Sequence, residues 1–265
     1  VAIYSNGVNT VLNEVNADIK MTASNSIAFY MENGGNLVNK ASITGDNGIS
    51  NIGIYAKEGR VNNSGDMKLG DSLIIDPEDP TKNFYSVGIY GENLQEMKNT
   101  GKIEIGSSGI GLYSMENKNE VLNTGDIISN SDGAVGIYGM KSVVKNTGNI
   151  TLSGNDSIGI AVSIGSTVKN SGIITINGDN SVGIYGNLKS TIINENTGVI
   201  YVNGNNSIGI ELTGASILEN YGKIEIASGT IGSRETSTGG PGYKIPSIIN
   251  AGVIKVDEKF DLNGL

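Results

Sequence analysis

Two short sequence elements alternate along almost the whole chain, and this repeat limits the fold more than any other feature. The first element is a branched aliphatic residue, a small residue, another aliphatic residue and tyrosine. Clear copies are residues 87–90 and 135–138, both Val-Gly-Ile-Tyr. The small residue recurs every 23 to 26 residues, apart from one interval of 35. Such a period is typical of solenoids, in which each repeat forms one coil.

The second element reads Asn-x-Gly-x-aliphatic-x-aliphatic and follows each copy of the first. Residues 99–105 and 146–152 are clear copies, and looser copies begin at Asn16, Asn39, Asn63 and Asn123. Apolar residues alternate with polar or small residues in both elements, which indicates strands with one buried face. A single coil cannot bury its apolar edge, whereas stacked coils can.

The predicted fold is therefore all-β, a right-handed parallel β-helix (β-solenoid) with about ten coils of 23–26 residues. Residues 1–265 are expected to form one β-helical segment, a fragment of a longer chain. The right hand follows from the strong preference of parallel crossover connections for that hand. The chain carries no stretch of apolar residues long enough for a membrane-spanning helix.

The asparagine of the second element shares its parity with apolar residues, so its side chain is expected to point inward. Amides stacked from coil to coil can hydrogen-bond along the axis as a ladder. The glycine two residues later is expected to supply a positive φ at the corner. A ligand track built from these amides is the alternative interpretation.

The tyrosine of the first element is expected to face outward. Tyr113 and Tyr138 belong to the resulting stripe, beside a predicted flat trough of glycines such as Gly111 and Gly136. An aromatic stripe beside a flat trough is suited to glycan binding. The alternative is tyrosine stacking that only stabilises the parallel sheet.

Two insertions interrupt the period, at residues 70–84 and 233–246. Insertions in solenoids emerge as surface loops, which often bind partners. In the first insertion, Asp76, Glu78 and Asp79 are either calcium ligands or members of a solvated loop. In the second, Arg234, Tyr243 and Lys244 are candidate ligand-binding residues, as are Tyr113 and Tyr138 of the stripe.

Composition narrows the function. The net charge of −9 disfavours nucleic acid and anionic membranes as partners. The chain carries no cysteine, histidine or tryptophan, which excludes disulfides, histidine-dependent triads and imidazole metal sites. No catalytic, metal-binding or cofactor-binding residue is predicted, and the chain is expected to be a monomer that needs no cofactor. The outward positions of the second element do not stack two carboxylates on neighbouring coils, so an enzyme is not expected.

Taken together, the Val-Gly-Ile-Tyr-Gly and Lys-Asn-Thr-Gly-Asn-Ile motifs resemble the passengers of fusobacterial type Va autotransporter adhesins, of the RadD-like or large galactose-binding kind. The resemblance covers roughly residues 1–256. It implies a passenger exported by type V secretion and anchored in the outer membrane through a C-terminal barrel. It also implies adhesion to bacteria or host cells, including coaggregation and virulence, through a surface receptor or glycan. The alternative function is a β-helical polysaccharide-degrading enzyme or a phage tailspike-type depolymerase.

Overall fold

The computed structural model describes residues 1–117, 119–227, 231–236 and 247–256. Three parallel sheets of ten strands each run along the described chain, and successive strands of one sheet belong to successive coils. This arrangement confirms an all-β parallel β-solenoid of about ten coils. Its right hand stays a prediction. The helix in the described part is a single 3-10 turn, Pro80–Lys82, and no helix there is long and apolar enough to cross a membrane.

The first sheet contains the tyrosine element. Its strands are Ile3–Asn6, Ile27–Glu32, Ile52–Lys57, Val87–Glu92, Ile110–Met115, Val135–Met140, Ile158–Ser163, Val182–Gly186, Ile208–Thr213 and Ile231–Thr236.

The second sheet ends in the asparagine of the second element. Its strands are Thr10–Asn13, Asn36–Asn39, Arg60–Asn63, Glu96–Asn99, Val121–Asn123, Val143–Asn146, Thr167–Asn170, Thr191–Asn194, Ile217–Asn220 and Ser247–Asn250.

The third sheet contains the aliphatic end of the second element. Its strands are Ile19–Lys20, Ile43–Gly45, Met67–Leu69, Ile103–Glu104, Asp126–Ser129, Asn149–Leu152, Ile173–Ile176, Val199–Val202, Lys223–Ile226 and Val253–Val256.

The core is a set of aliphatic columns between the sheets. Ile137 of the first sheet, Val144 of the second and Ile150 of the third are all fully buried. Each lies in register with an aliphatic residue of the next coil, Ile150 with Ile174 for example. Burying such columns supplies the main driving force for stacking, about 25 cal/mol for each Å² of apolar surface removed from water.

An asparagine ladder runs along one corner of this core, as predicted. Each amide Nδ2 donates to the Oδ1 of the next coil over 2.7–3.0 Å. The ladder residues are Asn13, Asn39, Asn63, Asn99, Asn123, Asn146, Asn170, Asn194, Asn220 and Asn250. Most Nδ2 groups also donate to a backbone carbonyl nearby, as Asn146 does to Gly148 at 3.1 Å. The amides thus bond one another, as the ladder interpretation requires.

Two details of the asparagine prediction are wrong. The first ladder residue is Asn13, not Asn16, because Asn13 ends the second-sheet strand that pairs with Asn36–Asn39. The corner glycines Gly125 and Gly148 do not have a positive φ. They are needed because coils approach closely there: a Cβ on Gly148 would lie 2.2 Å from the carbonyl oxygen of Gly125.

The first insertion lies within the described residues. Residues 70–84 lie between the strands Met67–Leu69 and Val87–Glu92. The predicted start of the second insertion is wrong, because residues 233–236 continue the first-sheet strand Ile231–Thr236 and pair with the preceding coil. Residues 237–246, with the candidates Tyr243 and Lys244, lie outside the described residues. Arg234 is placed in that strand, in register with Glu211.

Candidate functional site

The outward tyrosines of the first sheet form a continuous stack over coils two to six. From Tyr30 to Tyr138 the ring centroids of neighbouring tyrosines are 4.7–5.0 Å apart, and the ring planes differ by 5–24°. Strand register places tyrosine beside tyrosine on consecutive coils, so the stacking follows from the repeat. Tyr113 and Tyr138, both predicted site residues, are adjacent members of this stack. The stack ends at Ala161, which is in register with Tyr138.

The predicted glycine trough beside the tyrosines is wrong. A Cβ on Gly88 would lie 2.9 Å from Cγ2 of the buried Ile103, so this glycine faces the core. Ile89 is also fully buried, so two consecutive residues face inward and the strict alternation is broken at the glycine. The residue before the glycine faces outward instead of the glycine itself.

An aliphatic row therefore runs parallel to the tyrosine stack. Its members at the site are Ile52, Val87, Ile110 and Val135, which are in register from coil to coil. Val87 and Ile110 are only 4% and 6% exposed, although they lie on the outer face of the sheet. The sheet alone does not cover them, so something outside it does.

The first insertion provides that cover. Together with the aliphatic row and the tyrosines it lines a groove of about 730 Å³. The insertion contributes Ile74, Pro77, Pro80, Thr81 and Asn83, and Tyr85 directly follows it. The sheet contributes Ile52, Val87, Ile110, Val135, Tyr90, Tyr113 and Tyr138, and two turns contribute Ser108 and Gly133. The two features that the sequence presented as separate candidates thus form one site, which is called the tyrosine groove below.

The insertion is held in place by its own hydrogen bonds and by bonds to the coils. Leu73 and Phe84 form an antiparallel bridge that closes its base. Ser50 Oγ donates to the carbonyl oxygen of Phe84 at 2.9 Å, and Ser86 Oγ donates to that of Asp71 at 2.9 Å. The first insertion therefore forms an ordered wall of the groove beside the sheet.

The side chain of Asn83 organises the tip of the insertion. Its Oδ1 accepts hydrogen bonds from the backbone N–H groups of Ile75, at 2.8 Å, and Asp76, at 3.0 Å. Its Nδ2 donates to the carbonyl oxygen of Asp76 at 3.0 Å and lies 3.4 Å from the Tyr85 hydroxyl oxygen. One amide thus fixes both the turn and the position of a tyrosine in the groove.

Two acidic residues of the insertion form ion pairs with one lysine. Lys82 Nζ lies 2.8 Å from Asp76 Oδ2 and 3.3 Å from Asp79 Oδ2. The hydrogen bond from Lys82 is the main cause that lowers the pKa of Asp76 below its usual value. The pKa of Asp79 is lowered mainly by a hydrogen bond from Thr81 and, to a smaller extent, by one from Lys82. No group of three or more carboxylates that could hold a metal ion occurs among the described residues. Two of the three carboxylates considered as calcium ligands, Asp76 and Asp79, therefore brace the loop through ion pairs with Lys82.

The tyrosines of the groove sit in an environment that disfavours their ionised form. Burial raises the pKa of Tyr113, and the nearby tyrosines Tyr138 and Tyr85 raise it further. Burial likewise raises the pKa of Tyr90 and of Tyr138. These hydroxyls stay protonated at neutral pH, so they can both donate and accept hydrogen bonds.

The sequence analysis missed the aliphatic row, the insertion residues Ile74, Pro77 and Pro80, and Tyr85, which directly follows the insertion. A signal was present for the row: every copy of the first element begins with isoleucine or valine, three residues before the position that tyrosine occupies in most copies. A strict period of two places these residues in the core. The break at the glycine, which depends on close contact with the third sheet, turns them outward.

A family model described as the BigA third pectate lyase-like domain matches residues 1–142. No curated protein and no solved structure matches the chain. The matched range contains every residue that lines the tyrosine groove.

Proposed function

Because this chain belongs to the family of the BigA third pectate lyase-like domain, we propose that it is a segment of a bacterial surface adhesin that binds partner molecules through the tyrosine groove. The segment acts outside the cell as a rigid, monomeric rod. The longer protein is an autotransporter passenger of the RadD-like kind, held at the outer membrane by its own barrel. Its partner is a receptor or glycan on another bacterium or on a host cell.

The tyrosine groove is the observation that carries this proposal. It combines half-buried aromatic rings, a row of aliphatic side chains and a loop fixed by hydrogen bonds on a regular scaffold. Aromatic residues on a rigid support are favoured at binding surfaces, because they offer a large contact area and lose little conformational freedom. Each coil is held by the coils before and after it, and hydrogen bonds from Ser50 and Ser86 hold the insertion against the coils.

The proposal also holds that the segment is not an enzyme. Hydrolysis of glycosides needs two carboxyl groups within about 10 Å on either side of the scissile bond. On the outer face of the third sheet, Glu104 has Lys68 and Ile128 as its register neighbours. Glu225 has Tyr201 and Lys255. Asp46 and Glu104 do lie close together, but Lys68 Nζ lies 3.4 Å from Asp46 Oδ2 and 3.6 Å from Glu104 Oε1. Because a lysine bridges this pair and occupies the place of a substrate, binding is favoured over the alternative, a β-helical polysaccharide-degrading enzyme or tailspike-type depolymerase.

Adhesion of the purified segment to bacterial and host cells tests the proposal. We expect Tyr113→Ala combined with Tyr138→Ala to abolish binding, because the change removes one wall of the groove. Tyr201→Ala is the matched control, since Tyr201 is a half-buried outward tyrosine on a different sheet. Retained adhesion by the double variant refutes the groove as the adhesive site. Release of reducing ends from a polysaccharide panel identifies an enzyme instead.

Removal of each insertion completes the test. Replacing residues 73–85 with two glycines removes the other wall of the groove, and we expect it to reduce adhesion as strongly as the tyrosine variant. The second insertion, with Tyr243 and Lys244, remains a separate candidate, as does Arg234 in the strand before it. If only its removal, between residues 237 and 246, abolishes adhesion, the binding site lies there and not in the tyrosine groove.

A further inference from the structure

The stacked tyrosines expose ring edges and hydroxyls, not ring faces. The planes of Tyr55 and Tyr90 differ by 5° at 4.7 Å, and those of Tyr90 and Tyr113 by 12° at 4.8 Å. Each inner ring is thus covered on both faces by its neighbours. A ligand that binds by lying flat on an aromatic face finds no free face along the stack. A ligand that packs against ring edges and accepts hydrogen bonds from hydroxyls suits this surface.

Those hydroxyls are available. Among the described residues, the hydroxyls of Tyr55, Tyr90, Tyr113 and Tyr138 make no hydrogen bond, whereas the hydroxyl of Tyr85 is close to Asn83. A protonated tyrosine hydroxyl is a good donor to a peptide carbonyl. Three of these tyrosines, Tyr90, Tyr113 and Tyr138, line the groove, which therefore presents one free donor on each of three successive coils.

The spacing of the row selects among peptide conformations. Neighbouring rings are 4.7–5.0 Å apart, so alternate tyrosines are separated by about twice the strand spacing, ~9.5 Å. A polyproline II helix has three residues per turn and rises about 9.3 Å in that turn. Residues on the same face of a β-strand are about 6.7 Å apart. One turn of an α-helix rises about 5.4 Å. Of these three conformations, only polyproline II has a repeat that matches the distance between the tyrosines of every second coil.

The other walls have the chemistry that such a segment needs. Pro77, Pro80 and Ile74 line the groove together with Ile52 and Val135, the half-buried members of the aliphatic row, and these side chains provide apolar contact for proline rings. The insertion between residues 70 and 84 carries four carboxylates and one lysine. Lys82 is paired with Asp76 and Asp79, and the carboxylate of Glu78 has no partner among the described residues. This local negative charge favours a basic residue next to the prolines.

From these observations we infer that the tyrosine groove binds a proline-rich segment of a partner protein in the polyproline II conformation, with a basic residue facing Glu78. This inference rests on the proposed adhesive function and specifies the class of partner. A polyproline II segment is already extended before it binds, so little conformational entropy is lost, and its carbonyls are free to accept hydrogen bonds. Tyr90 and Tyr138 are positioned to donate to carbonyls one turn apart.

Fluorescence anisotropy with the whole chain tests the inference. The probe is a fluorescein-labelled peptide with proline at every third position and one terminal arginine. The control peptide has alanine in place of each proline. We expect the proline peptide to bind and the alanine peptide to bind at least about tenfold more weakly, because it must first be ordered. Failure of the proline peptide to bind, or equal binding of the two peptides, overturns the inference.

Conservative variants locate the peptide without disturbing the fold. Tyr90→Phe with Tyr138→Phe keeps the stack and removes two donors, so affinity should fall at least about fivefold. Glu78→Gln should weaken binding and reduce its dependence on salt. Tyr201→Phe is the control and should bind like the parent. If the groove variants also bind like the parent while circular dichroism shows them folded, the peptide binds elsewhere and the inference is wrong.

The outcomes separate this inference from the proposed function. If Tyr113→Ala with Tyr138→Ala abolishes cell adhesion but the proline peptide does not bind, the groove is adhesive and its partner has another chemistry. If the peptide binds in the groove but adhesion does not depend on the groove, the partner class is right and the adhesive role is wrong.

Discussion

The buried asparagine ladder allows a sharp test of what holds the coils together. Asn146 lies in the middle of the ladder and is fully buried. Its Oδ1 accepts from Asn123 Nδ2 at 2.9 Å, and its Nδ2 donates to Asn170 Oδ1 at 3.0 Å. Asn146→Ala leaves one N–H of Asn123 and the Oδ1 of Asn170 without partners. The carbonyl of Gly148, which Asn146 also bonds, keeps its bond from the N–H of Ile173.

The expected magnitude follows from these two groups. A buried polar group without a partner costs about 1–3 kcal/mol, so Asn146→Ala should lower the free energy of unfolding by about 2–6 kcal/mol. Asn203→Ala is the matched control. Asn203 Nδ2 donates to Asn177 Oδ1 at 2.8 Å, the same type of bond between neighbouring coils, but this pair is exposed to water. Its loss should change the free energy of unfolding by less than about 0.5 kcal/mol.

Urea denaturation followed by far-UV circular dichroism measures both variants. The midpoint should fall for Asn146→Ala and stay near the parent value for Asn203→Ala. An unchanged slope of free energy against urea shows that the coils still unfold together, whereas a shallower slope shows that the ladder break has uncoupled the two halves. Equal midpoints for the two variants refute the idea that the ladder stabilises the fold because it is buried.

Three further predictions concern the core, the corners and the first insertion. Ile150→Asp places an unpaired charge in the core and should destabilise by several kcal/mol, whereas Thr151→Asp on the outer face should be nearly silent in the same urea assay; equal effects contradict the assignment of inward and outward residues. Gly148→Ala should lower the melting temperature by several degrees, because its Cβ would overlap a backbone carbonyl of the neighbouring coil at 2.2 Å, and an unchanged melting temperature means that the coils can separate at little cost. Lys82→Ala should raise the pKa of Asp76 towards the ordinary carboxylate value in an NMR titration, since the lysine hydrogen bond holds it down. The stabilising effect of that pair is present above the ordinary carboxylate pKa and is lost as the pH falls through the lowered value, so the variant should lose its pH dependence there.

Much of the fold could be predicted from the sequence, because the interactions that form it are repeated. Each coil contacts mainly the coils before and after it, so the same local sequence pattern recurs in every coil. The inward positions of Ile150 and Val144 followed from period two, and both are buried. The inward asparagines followed from parity, and they form the ladder. The tyrosine stack followed in the same way from its place in the repeat.

The buried serines show what a local pattern does not reveal. Ser157, Ser181 and Ser207 precede the first-sheet strands and are buried. The hydroxyl of each following serine accepts a hydrogen bond from the backbone N–H of the serine before it, at 2.9 Å from Ser157 to Ser181 and 3.0 Å from Ser181 to Ser207. Serine is common at turns for many reasons, so the sequence did not distinguish this second ladder.

The tyrosine groove was decided by the tertiary structure. Alternation within a strand predicted that Gly88 faces outward, but close packing against Ile103 turns the glycine inward and Val87 outward. The insertion occurs once in the chain, so no repeat indicates where it folds. Its position depends on contacts with residues far away in sequence, such as the bond from Ser50 to Phe84, which are 34 residues apart. The sequence by itself determined the repeated coil, because period and register are local properties. The packing of a unique loop against that coil determined the groove, because such packing depends on distant side chains that meet only in the folded chain.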